Sequence, residues 1–323
     1  MLSLNKTDKL SNIKLLKWKY LRTLVFLDRH NLKSYLLPIA IFFTISISLA
    51  VAYELFRFVN LWAGMPYAGN NALEFCEINR FCEAVVQPAN TWSNLGFLFV
   101  GLFCLFVGIN DAKTRSPEIP NLIVRYPMFS ILIGLSCIYL FLGSFLYHAS
   151  LTHTFQMLDI TGMYAVALSF LAYIIFRFTP IRYAKRKAKF KSSHHLIIPA
   201  VLLINLLFLG GMWRVNVNIL FPIIVLIIIT LGVYYNRSRS LLTQLPYQRL
   251  AQLSVAIGVI AFVCWILDRQ DLWCNPDSLV QGHAVWHLLC AASILLSYLS
   301  FRVEKFDIES IYKNKQEVYF YFR

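Results

Sequence analysis

The stretch ILFPIIVLIIITL at residues 219–231 decides the fold class of this chain. It contains no charged side chain, and similar apolar runs recur along the 323 residues. Hydrophobic residues make up 58% of the chain, charged residues make up 14%, and the mean hydropathy is +0.60. A membrane helix needs about 20 mostly apolar residues, whereas a soluble core of this size could not bury so many such runs. The sequence therefore predicts an all-α polytopic transmembrane helix bundle.

Eight apolar segments separated by short connections are candidate membrane helices. They cover residues 36–53, 91–109, 126–147, 155–176, 196–213, 217–235, 250–267 and 280–301. We find no internal repeat, no Gly/Ser-rich linker and no low-complexity tract. One helical bundle is the simplest organisation that accounts for these segments.

The net charge of +14 is concentrated in particular loops. Basic clusters lie at 6–33, 113–115, 182–191, 237–249 and 302–305, all on one side of the membrane if eight helices are counted. The opposite loops carry acidic residues: Glu74, Glu77, Glu83, Asp268, Asp271 and Asp277. The positive-inside rule then places both termini in the cytoplasm. We expect the basic clusters to contact anionic lipid, and no nucleic-acid-binding motif accompanies them.

The N-terminal tail, residues 1–35, reads as a basic amphipathic helix on the inner leaflet. Apolar side chains recur there at helical spacing, with lysines and arginines between them. A merely basic tail is the alternative. A signal peptide is disfavoured because the charged region before Leu36 is too long, although Ala50-Val51-Ala52 imitates a cleavage site.

Polar residues at the ends of three of these segments form a metal-ligand pattern. Ser144-x-x-x-His148 ends the third segment, Asp159 opens the fourth, and His283-x-x-x-His287 opens the eighth. With eight helices, all of these residues lie on the non-cytoplasmic side. A polar side chain at membrane depth costs at least about 2.5 kcal/mol, so it persists only with a partner and usually with a function.

The spacing of these residues suits a catalytic zinc ion. His283 and His287 stand one turn apart on a single helix face, so both rings can reach one ion together with His148. Three protein ligands leave a fourth position open for a water that ionises near neutral pH. We expect Ser144 to steady that water or an oxyanion, and Asp159 to accept a proton or orient a histidine. The alternative is a hydrogen-bonded polar cluster that ties helices together.

These motifs resemble those of the alkaline ceramidase family, part of the superfamily of seven-helix membrane hydrolases that includes adiponectin-type receptors. The resemblance rests on Cys76-Glu77-x-Asn79, Gln87-Pro-x-Asn90-Thr-x-Ser93-Asn94, Gly143-Ser144-x-x-x-His148, Gln156-x-x-Asp159, Ile266-x-Asp268…Cys274 and His283-Ala-x-Trp286-His287. It covers residues 72–301. The chain then divides into the tail 1–35, an extra N-terminal transmembrane helix at 36–59, a seven-helix ceramidase-like domain at 60–301 and a cytoplasmic tail at 302–323.

The resemblance implies a chemistry that the spacing does not supply. It implies that His148, His283 and His287 bind zinc, and that Ser144 and Asp159 assist the zinc-bound water. The expected reaction is hydrolysis of the ceramide amide to sphingosine and a free fatty acid. The Gln-Pro-x-Asn-Thr-Trp-Ser-Asn version is similar to prokaryotic members, so a bacterial inner membrane is the expected location.

The resemblance also implies a calcium site and a disulfide bond. The calcium positions are Glu74, Glu77, Asn79 and Gln87, but Gln87 stands where a carboxylate is expected, which weakens such a site. Cys76, Cys82 and Cys274 lie in the outer segments, and the residues alone leave open whether Cys76 or Cys82 pairs with Cys274. The family pairs the positions of Cys76 and Cys274.

Two rival functions are also compatible with these residues. One is a related membrane lipid hydrolase that cuts another amide or an ester with the same metal machinery. The other is a non-enzymatic, receptor-like protein whose zinc is structural. Ser144 and Asp159 argue against the second, because a structural zinc site closes its fourth position with a protein ligand.

Overall fold

The computed structural model of the protein describes residues 32–69, 75–114, 121–183, 196–210, 217–237 and 245–304. Ten helices lie in these ranges: α1 Leu32–Phe56, α2 Pro88–Ser93, α3 Leu95–Lys113, α4 Leu122–Arg125, α5 Met128–Ser150, α6 His153–Tyr183, α7 Ile197–Gly210, α8 Val217–Arg237, α9 Leu245–Arg269 and α10 Gly282–Val303. Within the same ranges, extended pairing is limited to one bridge between Tyr67 and Thr152. The prediction of an all-α protein is confirmed.

Among the described residues, six apolar stretches are long enough to cross a membrane: Leu36–Phe56, Pro88–Lys113, Met128–Ser150, His153–Phe178, Tyr247–Arg269 and Gly282–Val303. The apolar stretch of α8, Ile219–Tyr234, is shorter, and α7 has 14 residues in the described part. Six such helices indicate an integral multi-pass membrane protein. The count of eight spans and the division into domains stay predictions. Most of the predicted amphipathic tail lies outside the described residues. So does most of the basic run in the α6–α7 connection.

The central helices pack at short range because glycines face the neighbouring backbone. A Cβ on Gly134 of α5 would lie 2.5 Å from the Leu105 nitrogen of α3, and a Cβ on Gly101 would lie 3.0 Å from the Gly134 oxygen. Small residues at such crossings are typical of membrane helices, where close van der Waals packing replaces the hydrophobic effect. The α3–α5 pair thereby forms a rigid centre of the bundle.

The segment predicted at 91–109 differs from the observed structure. Helix begins earlier, at Pro88, and is interrupted at Asn94, so that α2 and α3 are separate elements. The side chains of Ser93 and Asn94 both donate to the Asn90 carbonyl oxygen, at 2.8 Å each. Such side-chain donors compete with the backbone ladder, which explains the interruption.

The N-terminal helix α1 packs on the bundle along one side. Phe42 contacts Phe99 of α3 edge-on at 5.5 Å between ring centroids, and most other α1 side chains are exposed, as expected for a lipid-facing helix. The chain then continues as a segment that we call the strap, residues 57–69. The strap accepts a backbone hydrogen bond from His153 at Pro66 and donates one to Leu151 at Ala68. It therefore covers the corner between α5 and α6.

Charged side chains are buried at one end of the bundle, which we call the arginine end. Arg302 of α10 pairs with Asp111 of α3 at 2.6 Å, and Arg177 of α6 pairs with Glu304 at 2.8 Å. The Asn121 amide donates to the carbonyl oxygens of Phe301, Arg302 and Glu304. This cluster fixes the C-terminal end of α10 against α3, α4 and α6.

Candidate metal centre

The three candidate zinc ligands meet at the opposite end of α10, which we call the histidine end. His148 lies in the last turn of α5, and His283 and His287 lie in the first two turns of α10. One nitrogen from each ring lies within 4.8 Å of the other two, and all three residues are buried. In the described part of the chain, this is the one group of three or more His, Cys, Asp or Glu side chains with metal-binding geometry.

A glutamine determines which nitrogen of His148 is available. The Gln87 amide nitrogen donates to Asn79 at 2.7 Å, which orients its carbonyl oxygen toward His148 Nδ1 at 2.8 Å. Because a carbonyl oxygen only accepts, Nδ1 carries the proton and Nε2 keeps its lone pair. A histidine that is held in this way is ready to bind a metal through Nε2.

Helix α2 does the same for His287. Ser93 Oγ lies 2.8 Å from His287 Nδ1 while donating its own proton to the Asn90 carbonyl oxygen. That carbonyl oxygen also lies 3.2 Å from His287 Nδ1. With two acceptors facing Nδ1, the proton lies on Nδ1, and Nε2 is the available ligand atom.

His283 completes the fit to a cation. Its Nε2 lies 3.2 Å from His148 Nε2, and its ring lies against Phe75 with 4.1 Å between centroids. Zinc–nitrogen bonds of about 2.0–2.1 Å at tetrahedral angles separate two ligand nitrogens by about 3.3 Å. A lone pair on His148 Nε2 faces His283 at that spacing, so a zinc ion bound by both rings satisfies them. The residues therefore fit zinc.

Ser144 and Asp159 lie together in the packed face between α5 and α6. The Ser144 side chain interacts with the Asp159 carboxylate, and the serine is 1% exposed. Gly143 makes this contact possible, because a Cβ there would lie 2.6 Å from the Leu158 carbonyl and 2.7 Å from the Asp159 nitrogen. Ser144 also precedes His148 by one helical turn. The predicted catalytic pair is thus assembled beside one predicted zinc ligand.

The predicted calcium positions have other partners. Both oxygens of Glu77 accept backbone N–H groups at the start of α2, from Ala89 at 2.7 Å and from Asn90 at 2.9 Å. Burial raises the pKa of the Glu77 carboxyl, although these two N–H groups and the charge of Arg80 oppose the shift. Asn79 and Gln87 are engaged with each other and with His148, and Glu74 lies outside the described residues. The described geometry gives calcium no support.

Cys76 and Cys274 form a disulfide bond across 198 residues of sequence. Cys82 is a free, exposed thiol. The bond joins the Phe75–Asn79 segment to the α9–α10 turn, and Ile78 adds a backbone hydrogen bond to Pro276 at 3.1 Å. The segment that carries Phe75 over His283 is therefore fastened next to the helix that carries His283.

Sequence reasoning did not assign Gln87 and Ser93 to the histidines. The resemblance placed Gln87 in a calcium site, and Ser93 received no role beyond its place in the motif. Polar residues at the start of an apolar helix are a signal that they have partners at membrane depth. The identity of those partners depends on how α2 packs against α5 and α10, which single-chain spacing does not reveal.

Fold and site together define a class: a multi-pass helical membrane protein with a buried three-histidine centre at one end of its bundle. A comparison with known protein families matches residues 68–323 to the family described as Ceramidase. The match covers most of the chain, so the chain belongs to the Ceramidase family, as its motifs predicted. A comparison with curated proteins finds none that matches. At the level of the family, membership implies a hydrolase that acts on an amide bond.

Proposed function

We propose that this protein is a zinc-dependent lipid amidase that hydrolyses ceramide to sphingosine and a free fatty acid. The observation that carries the proposal is the three-histidine centre, in which Gln87 and α2 hold two Nδ1 protons and leave the facing nitrogens available. Family membership supplies the substrate class. Zinc bound there would supply the Lewis acidity that activates water and polarises an amide carbonyl.

The chain's own residues then manage the proton. Asp159 is half-buried beside Ser144 and is placed to accept the proton that the attacking water loses. The new C–O bond forms as the amide C–N bond breaks, and the same proton passes from Asp159 to the leaving nitrogen. Ser144, which interacts with the carboxylate, would help to orient Asp159 for this transfer.

The same proposal covers architecture and location. We assign α2–α10 to a core of seven membrane helices, in which α2 and α3 count as one span and the four-residue α4 as none, with α1 as the extra helix. We place both termini in the cytoplasm, with the metal centre toward the other side. A lipid substrate suits this arrangement, since its chains can remain in hydrocarbon while the amide reaches the histidine end. Calcium is not part of the proposal.

The test is hydrolysis of a ceramide series by detergent-purified protein, with released fatty acid measured by mass spectrometry. We expect release that a zinc chelator abolishes and added zinc restores. Asp159→Asn should abolish release while zinc stays bound, and Asp271→Asn, an exposed carboxylate in the α9–α10 turn, is the matched control. Zinc without release from any ceramide would point to a different lipid amide or ester. A protein without zinc would overturn the catalytic proposal.

A further inference from the structure

A buried aspartate at the end of α9 connects two parts of the histidine end. Asp268 is 0% exposed, although it lies one turn from the exposed α9–α10 connection. One carboxylate oxygen accepts the backbone N–H of His283 at 3.0 Å. The other faces the backbone N–H of Cys76 at 3.3 Å. A single side chain therefore contacts both the first zinc-ligand position of α10 and the disulfide-linked segment.

Helix α10 has no side-chain cap of its own. Its N-cap residue, Gln281, makes no capping hydrogen bond, and its amide donates instead to the carbonyl oxygens of Asn275 and Ser278. Asp268 takes that role from a neighbouring helix, and it puts a carboxylate at the positive end of the α10 dipole. Since His283 is the second residue of α10, this cap acts on the backbone of a zinc ligand.

The space around the carboxylate admits no alternative to glycine at position 282. A Cβ on Gly282 would lie 2.8 Å from the Asp268 Cβ and 3.0 Å from the Cys264 carbonyl oxygen. The close approach of α10 to α9 is what brings the His283 N–H within reach of the carboxylate. A single methyl group at this position should move α10 away from Asp268.

The contact with Cys76 extends this effect to the other ligands. Phe75 precedes Cys76 and covers His283, and its ring centroid also lies 5.2 Å from that of His148. Glu77 follows Cys76 and caps α2, which holds the Nδ1 atom of His287. A shift of the Cys76 backbone would therefore reach all three histidines.

We propose that Asp268 is a positioning residue of the metal centre: its carboxylate holds α10 and the Phe75–Glu77 segment in the relative placement that lets the three histidines bind one zinc ion. This inference rests on the proposed function for its catalytic consequence. Asparagine has the shape of aspartate but offers one acceptor oxygen, and its NH2 group would face a backbone N–H. Only one of the two backbone N–H groups, that of His283 or that of Cys76, can then keep an acceptor.

The experiment compares Asp268→Asn with wild type in three measurements on the full chain. These are zinc affinity by competition with a chromophoric chelator, thermal unfolding of the zinc-free protein, and ceramide hydrolysis at saturating zinc. We expect zinc affinity to fall about 10-fold or more, as for other groups that orient metal ligands. Asp271→Asn, with an exposed carboxylate three residues away, should leave zinc affinity unchanged.

Gly282→Ala provides a second, independent variant that keeps both oxygens. It should weaken zinc binding in the same direction, whereas Gly232→Ala, which meets no neighbour within 4 Å in α8, should not. If Asp268→Asn does not fold, the Gly282 comparison decides on the same zinc measurement. If neither variant folds, the test uses the double variant Cys76→Ala/Cys274→Ala, and its zinc affinity is compared with and without the further substitution Asp268→Glu. Equal zinc affinities in these two proteins overturn the inference.

The outcomes separate this inference from the proposed function. Wild-type zinc affinity in a folded Asp268→Asn or Gly282→Ala protein overturns the positioning role, because a merely structural carboxylate would lower only the unfolding temperature. If the variants bind zinc more weakly, as expected, but the wild type hydrolyses no lipid, the positioning role is supported and the proposed amidase is overturned.

Discussion

The two ends of α10 are both buried and polar, and they differ in how their charges are balanced. At the arginine end, each of two cations has its own anion: Arg302 has Asp111, and Arg177 has Glu304. At the histidine end, three imidazole rings converge with their available nitrogens facing one another. One cluster is complete with protein groups alone, and the other becomes complete when a cation is added.

This difference separates a structural cluster from a functional one. Buried charges that are paired within the protein hold helices in place and have no capacity for a ligand. Buried neutral ligands that are oriented by Gln87 and Ser93 have a capacity for zinc that nothing else in the cluster satisfies. Both clusters lie on one helix, so each can be altered while the other serves as an internal control.

Loss of a zinc ligand should have the largest effect. In His287→Ala we expect turnover to fall by about 10⁴-fold, or about 5.5 kcal/mol of transition-state stabilisation, because two protein ligands no longer retain the ion. Fatty-acid release and elemental analysis of zinc measure the two effects together. His153→Ala, at the start of α6, is the matched control and should keep both. Full activity in His287→Ala would contradict the proposed ligand set.

Breaking the arginine end should reduce stability and spare the metal. Asp111→Ala leaves the buried Arg302 guanidinium without its carboxylate, and we expect a loss of about 3–5 kcal/mol in the free energy of unfolding. Thermal unfolding in detergent measures this, and Asp277→Ala in an exposed turn is the control. Zinc content per folded molecule should stay at the wild-type value. Loss of zinc from folded Asp111→Ala protein would show that the two ends are coupled.

Gln87→Leu should weaken the metal centre without removing a ligand. The substitution removes the acceptor for His148 Nδ1 and frees the ring to adopt the other tautomer, so zinc affinity should fall about 10- to 100-fold. Competition with a chromophoric chelator measures the affinity, and Gln270→Leu, at the exposed residue that follows α9, serves as the control. Unchanged affinity would mean that the Gln87 contact does not set the tautomer.

The sequence predicted the class of fold and the members of the site better than their connections. Long apolar runs and the two His-containing motifs were sufficient for a membrane bundle and a histidine cluster, because helical spacing alone places His283 and His287 on one face. Family membership was predictable from motif order. Those inferences depend on local periodicity, which a single chain contains.

The remaining features depend on contacts between distant segments. The partner of Gln87 is His148, 61 residues away, and the arginine end joins Asp111 to Arg302 across 191 residues. Neither pairing has a local signature. The break at Asn94 was also missed, because hydropathy treats 91–109 as one helix, while the side chains of Ser93 and Asn94 donate to the Asn90 carbonyl oxygen and interrupt it. The basic loops were sufficient to predict an orientation in the membrane. The pairing of Arg177 with Glu304 became visible only in the packed helices.

Gly143→Ala tests the packed face that assembles Ser144 and Asp159. The added methyl group would meet the α6 backbone at 2.6 Å, and such overpacking costs about 1–3 kcal/mol of stability. The methyl group would move α6, which carries Asp159 but no zinc ligand. We therefore expect turnover to fall more than zinc affinity. Gly232→Ala is the control. Equal losses in turnover and zinc affinity would contradict a separate role for the Ser144–Asp159 pair.

The smallest predicted effect concerns the strap, which precedes most of the family match. Trp62 donates its indole N–H to the Ala84 carbonyl oxygen at 2.8 Å and contacts Phe155 edge-on at 5.7 Å between centroids. Trp62→Phe keeps an aromatic ring and removes only the donor, so stability should fall by about 1 kcal/mol. Thermal unfolding measures the loss, with Trp273→Phe in the exposed α9–α10 turn as the control. Zinc affinity and turnover should match the wild type, because the strap covers the α5–α6 corner without holding a histidine ring. A fall in zinc affinity would instead extend the histidine end to the strap.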